Sequence, residues 1–535
     1  MTMKKRSWIL LMAAALAIQA CTGWGQGRRA QIDPPAQAAA TAPRRDAPVV
    51  IVGAGLSGLT LADELKKAGI DALLVEAAPR IGGRVQTIHF SDGATAEAHM
   101  EEYFERSPAV TLLRELGLPL IEDVAHSSVR IDGKIYPYRG DGQRDEYLAG
   151  IFDAKERAAF LRWTEKAWNL YTKLHASHYE GKPLPRELQD LMRISFADFV
   201  VRDRLPRKVS EWIRVTVEPE MAIEWDAISA LDGIDEMRLF LDSPDGFGEK
   251  NYHVAGGNTR FIEALAARLK PSQITTSARV TAIERTDSGV KLRVLERDSR
   301  FVDITGRIAV VTVPVNMLGR IQFSPPLSSK KWQAISTTRM GSYIKVNFRV
   351  SHEASKLWQV DGENVLTLLS DTQAGSIYDV SDLQTDTEPR DQVLTLLLHA
   401  RFAREFVNQP LDDVRETSAT ALDALFPGVR RHIKSAEIFV YPHAVAYWPL
   451  ELGRSRFDEL ANELRRPEGR LYIGGDTTED SHSEGAVVAA LRMARQIIER
   501  RAELTTDASR GSTAAWSAPE GAGGDAMRAG AAGAR

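Results

Sequence analysis

A chain of 535 residues is long enough for two or more packed domains, and 44% hydrophobic with 26% charged residues is the make-up of an ordinary folded protein. The formal net charge of -4, without a basic tract interleaved with aromatics, sets nucleic-acid binding aside and gives no reason to expect an acidic partner. Cys21 is the only cysteine, which excludes an internal disulfide.

The chain opens on MTMKKRSWILLMAAALAIQAC, with a basic start (Lys4, Lys5, Arg6), an apolar stretch from Trp8 to Ile18 and small Ala20. That is the build of a secretory signal over residues 1–20, too short for a membrane span. Cys21 after Ile18-Gln19-Ala20 resembles a bacterial lipoprotein processing site, at which the cysteine is lipidated; the alternative is an ordinary cleaved signal. The expectation is an exported protein, periplasmic or tethered to a membrane through its N-terminus alone. Residues 21–46, rich in Ala, Gln, Pro and Arg, read as a flexible tether, and the Gly/Ala/Ser-rich 503–535 as a disordered tail.

The first folded element is Val49-Val50-Ile51-Val52, a continuous apolar run that predicts a strand buried on both faces. A glycine turn follows, Gly53, Gly55, Leu56, Ser57 and Gly58, in the spacing G-x-G-x-x-G. Helical spacing then runs over 56–67, and DALLVE (71–76) predicts a second strand. This strand–turn–helix–strand order is the setting in which such a turn brings a dinucleotide's pyrophosphate onto a helix N-terminus. Glu76 ends the second strand, where a carboxylate accepts from ribose hydroxyls and repels a 2′-phosphate, against NADP. RIGGRV (80–85) adds Gly82 and Gly83 flanked by Arg80 and Arg84, a second wrap for a pyrophosphate with a charge to neutralise it.

EAAPRIGGR (76–84) resembles the flavin-containing amine oxidases, the group around monoamine, polyamine and L-amino-acid oxidases. The likeness continues through YHVAGGNTRFIEALAARL (252–269), ARVTAIER (278–285), IAVVTVPVNMLGRIQFSPPL (308–327) and RLYIGGDTTEDSHSEGAVVAALRMARQI (470–497). It implies an α/β fold in which a Rossmann-type FAD-binding domain is assembled from discontinuous segments (47–89, 251–325 and 440–502). A mixed α+β substrate domain would fill 90–250 and 326–439. The resemblance further implies FAD held without a covalent bond and a Val280 backbone against the adenine. Gly475 and Asp476 would lie on the phosphate or ribityl chain, and Glu484-Gly485-Ala486 would turn a helix N-terminus toward the flavin ring. Lys345, which spacing alone makes an exposed strand lysine in SYIKVNFRV (342–350), would hold a water against flavin N5. The implied reaction is hydride transfer from an amine or amino acid to flavin N5, giving an imine that hydrolyses. Electrons would pass on to oxygen or to a periplasmic acceptor.

The sequence departs from this pattern beside the flavin. AEAHMEEYFERSP (96–108) carries His99 and Met100 where small residues are expected, and the aromatic pair that often faces the flavin is missing. His482 stands near one expected ring and Ala444 near the other; Tyr441, Tyr447 and Trp448 are candidates for a shifted aromatic wall. His443 is a conceivable attachment point for flavin, although a hydrogen-bonded histidine is the simpler reading. Trp163, Trp168 and Tyr171, within the helical run 158–175, read as core. Asp480, His482 and Glu484 alternate in one short loop, which rarely encloses a metal, so no metal site is expected. Two other readings stay open: a related flavoprotein acting on C–C bonds, of desaturase or porphyrinogen-oxidase type, and a flavin-binding envelope partner without amine oxidase activity.

Overall fold

The computed structural model describes residues 31–32, 44–123, 127–140, 143–179, 182–243, 246–380 and 391–504. The expected signal, Cys21, most of the tether and nearly all of the tail lie outside the described residues. No helix among the described residues is long and apolar enough to cross a membrane.

The chain enters one large sheet three times. The first pass is strand β1 (Asp46–Val52), helix α1 (Leu56–Lys67) and strand β2 (Ala72–Val75). The apolar run of β1 is buried on both faces: Val49 and Ile51 join one core with α1, Val50 and Val52 another on the opposite side. A first excursion carries strand β3 (Ser128–Ile131) and helices α2 (Ala154–Tyr179), α3 (Arg207–Met221) and α4 (Ala230–Met237). The chain returns through β4 (Asn251–Val254), α5 (Thr259–Ala267), β5 (Ala278–Arg285), β6 (Val290–Glu296) and β7 (Phe301–Val311). A second excursion forms β8 (Tyr343–Val350), β9 (Gln392–His399) and β10 (Ile433–Tyr441), and the chain closes with β11 (Leu471–Ile473) and helix α6 (Ser483–Glu499).

Among the described residues the first sheet has eight strands, with β2, β1, β7 and β11 parallel to their neighbours at its centre and β5, β6 and β7 as an antiparallel meander. Parallel strands need crossovers, and α1 supplies the first of them. A second sheet of seven strands has β10, β8 and β9 side by side and antiparallel, and ends on β3 and Lys134–Tyr136. The helices of the first excursion build a separate apolar core against it. Trp163 is 2% exposed there, with Trp168 and Tyr171 packed alongside, so this aromatic set is structural.

Segment 95–123 belongs to a different layer from the one expected. Thr95–Glu97 pairs with Thr87–His89, while Tyr103–Phe104 and Leu120–Asp123 flank β4. The physical reason is that Tyr103, Val110 and Leu113 complete the core between α1, α5 and α6, so they fold with the nucleotide side.

Candidate active site

At the tip of β1 the three glycines have separate duties. Gly53 takes φ +108°, a left-handed value that favours glycine, and an added Cβ would press on Thr312 Oγ1 at 2.8 Å. A Cβ on Gly58 would lie 2.1 Å from the Gly53 carbonyl oxygen, so only a bare residue lets α1 sit this close to the strand end. Gly55, the N-cap of α1, would place a Cβ against the Gly83 Cα at 3.8 Å and the Gly82 carbonyl oxygen at 4.0 Å, ordinary contact distances. Gly55 and Gly82 form a parallel bridge that brings the two glycine pairs together. The first turn of α1 has no acidic residue, and its Ser57 Oγ is buried without a protein partner. Such a helix end presents N–H groups and a positive dipole to an anion.

Glu76 shapes this cradle as well as bordering it. One carboxylate oxygen accepts from the Ala54 N–H and the other from the Ala78 N–H, both at 2.8 Å. The Ala78 carbonyl accepts from Ser277 N–H and the Glu76 carbonyl from Ala278 N–H, which brings β5 alongside. Val280 lies just beyond, at a bulge between Val280 and Ala282. Arg80 donates to the carbonyls of Ile81 and Gly83.

From the cradle the site runs toward α6. Arg84 donates to the Ala444 carbonyl at 2.6 Å and pairs with Asp476 Oδ1 at 2.5 Å. Asp476 Oδ2 is buried with no protein partner, and Gly475 before it has φ +135°. Glu484, Gly485 and Ala486 form the first turn of α6, where a Cβ on Gly485 would meet Asp480 Oδ1 at 2.2 Å. Two orphaned polar atoms, two glycine pairs and two arginines along one path fit a dinucleotide: the glycine turn, Ser57 and Arg80 would hold its phosphates, Glu76 a ribose, and Asp476 the chain toward the flavin.

Lys345 is 2% exposed on β8, not on a solvent face. Its ammonium donates to the His99 carbonyl at 2.8 Å and forms an ion pair with Glu101. His99 lies with its ring centroid 4.5 Å from that of Tyr441 and its Nε2 3.4 Å from Arg80. Burial, together with Arg80, Lys345 and Arg84, pushes the His99 imidazole down to about 3, so it stays neutral. Met100 packs against the nucleotide-side core, and Asn258 Nδ2 donates to the carbonyls of Met100 and Glu101. The aromatic wall expected from 441–448 is thus divided. Tyr441 reaches His99, but Tyr447 packs on the helical core and Trp448 is fully enclosed at 1% exposure. His443 is exposed.

The sequence reading missed a group of carboxylates brought in from α3, α4 and the 99–102 loop. Glu220 Oε2 on α3 is 3.9 Å from His482 Nε2, and His482 Nδ1 is fixed 2.9 Å from the Asp480 carbonyl. Arg238 spans Asp235, Asp480 and Glu484, at 3.4, 3.8 and 3.4 Å. Arg456 is buried on Asp235 and on Glu236, the latter at 3.1 Å. Burial raises Glu236 to about 7 and Glu102 to about 8. Burial also raises Glu220, while His482 and Arg238 pull it down. For His482 burial lowers the imidazole, and Glu236, Asp480 and Glu220 outweigh it and raise it. Among the described residues the trio whose ligating atoms come within 4.8 Å of one another is Glu102, Asp123 and His253. These partners lie too far apart in sequence for any local pattern to announce them.

Comparison with known proteins agrees with this path. Residues 56–498 match the model of the flavin containing amine oxidoreductase family. Nicotine dehydrogenase of Pseudomonas putida is 24% identical over 466 residues, covering 84% of this chain and 88% of that protein. Polyamine oxidase 3 of Oryza sativa subsp. japonica is 24% identical over 484 residues, with 85% and 90% covered. L-amino-acid oxidase of Siganus canaliculatus is 25% identical over 476 residues, with 84% and 85% covered. The fold is that of a putrescine oxidase solved with putrescine (TM-score 0.70, 22% identity, covering 86% of this chain and all of that one). It is also that of cyclohexylamine oxidase from Brevibacterium oxydans (TM-score 0.68, 20% identity, covering 85% of this chain and all of that one). With a nucleotide cradle, a family match across nearly the whole folded chain and the fold of known amine oxidases, this chain belongs to the flavin-containing amine oxidoreductases, an enzyme family whose cofactor is FAD.

Proposed function

We propose that the substrate is a cationic amine rather than an amino acid. The observation that carries this is the charge of the site. Glu101, Glu102, Glu220 and Glu236 surround it, whereas Lys345, Arg84, Arg238 and Arg456 are each already paired with a carboxylate. An amino acid's carboxylate would need an uncommitted cation, whereas an ammonium finds in Glu220 a carboxylate held by neither a lysine nor an arginine. Bound FAD supplies the hydride acceptor, and the imine left on the substrate is hydrolysed by water. The protein's part is to hold the amine, keep the His99 edge uncharged and set the proton count on nitrogen. Lys345, held by Glu101, borders the flavin in this reading and assists reoxidation by oxygen or a redox partner; Lys345→Met should then slow reoxidation far more than reduction. We further place the protein in the cell envelope, on the strength of its apolar leader and Cys21.

The test is the visible spectrum of the purified yellow protein, without air, before and after pools of amines and of amino acids. Bleaching by amines alone supports the reading, and bleaching by amino acids alone overturns it. A protein bleached by neither would turn attention to C–C bond oxidation or to a non-catalytic flavin-binding role.

A further inference from the structure

An amine arriving as a cation poses a problem that the site must solve. Alkylammonium groups titrate near 10, so at neutral pH the nitrogen carries a proton and has no lone pair to drive hydride loss. A proton acceptor is needed, in contact with the substrate and not tied to a lysine or an arginine. Most carboxylates here fail the second condition. Glu101 belongs to Lys345, Glu484 and Asp480 to Arg238, and Asp235 and Glu236 to Arg456.

We propose that Glu220 is the catalytic residue that removes the proton from the substrate's ammonium, with His482 behind it as a positioning residue. This rests on the amine reading above. Glu220 occupies the last turn of α3, which is anchored by the Tyr343 hydroxyl donating to the carbonyls of Pro219 and Glu220. Tyr343 stands two residues before Lys345 on β8, on the same face of that strand. The Glu220 side chain keeps 18% of its surface accessible, and among the described residues its ion-pair partner is His482, not a lysine or arginine. His482 is the N-cap of α6, the helix whose first turn borders the FAD path, and its Nε2 is buried with no hydrogen-bond partner. Glu220 therefore lies between the flavin-side helix and the Tyr343–Lys345 face, and an amine nitrogen held there would meet its carboxylate.

In the step proposed, an N–H bond of the ammonium breaks and an O–H bond forms on Glu220. A neutral amine and a neutral carboxyl result, and no electrons are exchanged with any other group. The surroundings favour it. From α4 and its C-terminal turn, Glu236 and Arg238 face the pair; from the loop before α6, Asp480; from the first turn of α6, Glu484; from the 99–102 loop, Glu102 and beyond it Glu101. Tyr343 and Tyr378 complete the enclosure, with Glu220 among the charges that act on each. Burial raises Glu220, which brings its proton affinity closer to that of an amine.

The experiment uses the FAD-loaded enzyme and tert-butylamine, which binds as an amine but has no hydrogen on the carbon that would be oxidised. Infrared difference spectra with and without it should show a protonated-carboxyl C=O stretch in the wild type and none in Glu220→Gln. Absence of that band in the wild type, or its persistence in Glu220→Gln, overturns the proposal. With an oxidisable amine, Glu220→Gln should slow flavin bleaching by about 10²–10⁴-fold at neutral pH. That deficit should shrink as rising pH supplies free amine. His482→Gln, which leaves Glu220 in place, should move the midpoint of the pH profile upward, because His482 holds the Glu220 carboxyl down. An unmoved midpoint removes His482 from the proposal. If no amine bleaches the wild type, amine oxidation falls, while the carboxyl band still decides on Glu220.

Discussion

Lys345→Met tests the buried pair at the centre of the site. The two side chains are 3% and 11% exposed, so neither charge can be handed to water. With the ammonium gone, Glu101 faces a buried interior in which its other oxygen, Oε1, already lacks a partner, and the His99 carbonyl loses its donor. Leaving one member of a buried pair uncompensated costs about 3–5 kcal/mol, more than an exposed pair could ever return. The charge then has one escape, which is to take up a proton. Protonation removes the uncompensated charge, so acidification should relieve the cost of the substitution. Urea unfolding of the FAD-loaded proteins, followed by tryptophan fluorescence at several pH values, should show a deficit near 3–5 kcal/mol at neutral pH that narrows on acidification. Glu101→Gln should carry a cost of similar origin, and the double variant should cost clearly less than the two singles summed. A deficit independent of pH, together with strict additivity, would refute the argument that the two charges compensate each other.

The second and third glycines of the turn separate folding from cofactor binding. Gly58→Ala drives a Cβ to 2.1 Å from the Gly53 carbonyl, so calorimetry should show a cost of about 1–3 kcal/mol or more, with little FAD retained. Gly55→Ala has nothing nearer than 3.8 Å in the protein, so it should fold normally and lose FAD alone. Glu97 is buried with its carboxyl pushed up to about 7, so the folded state keeps a proton between 4.5 and 7 that the unfolded chain releases. Its share of stability therefore falls as pH rises through that window, opposite in sign to the contribution of His99 over about 3 to 6.5. Glu97→Gln should remove the decline, read as the difference in Tm between variant and wild type against pH. Finally, Cys21→Ala should move the protein from the membrane pellet to the soluble fraction; retention in the pellet would mean that lipidation is not the anchor.

The cofactor half of the site was legible in the sequence because it is local. Gly53, Gly55 and Gly58 sit within six residues, and the constraint on each comes from backbone a few positions away or from the strand beside it. The position of Glu76 at the end of its strand announces a ribose acceptor, but its clasp on the Ala54 and Ala78 N–H groups depends on the folded turn and has no spacing signature. The substrate half was legible only as departures from a pattern. His99 and His482 stand out because they occupy positions where the family pattern has other residues. Their partners escaped, since Lys345 lies 244 residues from Glu101, and Glu220 meets His482 only through the packing of α3 against the α6 cap. The side on which segment 95–123 folds is hidden for a related reason: which layer a short strand joins is decided by which core needs its apolar residues, here Tyr103, Val110 and Leu113.

The two halves also require opposite fields. A pyrophosphate would be served by the α1 N-terminus, Arg80 and Arg84, and the ammonium proposed as substrate by Glu220, and in a weakly screened interior these groups would act strongly on one another. His99 occupies the junction. Arg80 can only donate, so the ring nitrogen 3.4 Å from it accepts and the other nitrogen carries the hydrogen. The His99 carbonyl meanwhile accepts from Lys345. One residue thus ties a cation of the phosphate side to the cation of the substrate side without adding a charge. A protonated ring would face Arg80, Lys345 and Arg84 together, which with burial is why its imidazole resists protonation down to about 3. The smaller residue expected at this position could keep the carbonyl but not the ring, and Arg80 would lose its neutral acceptor beside Tyr441.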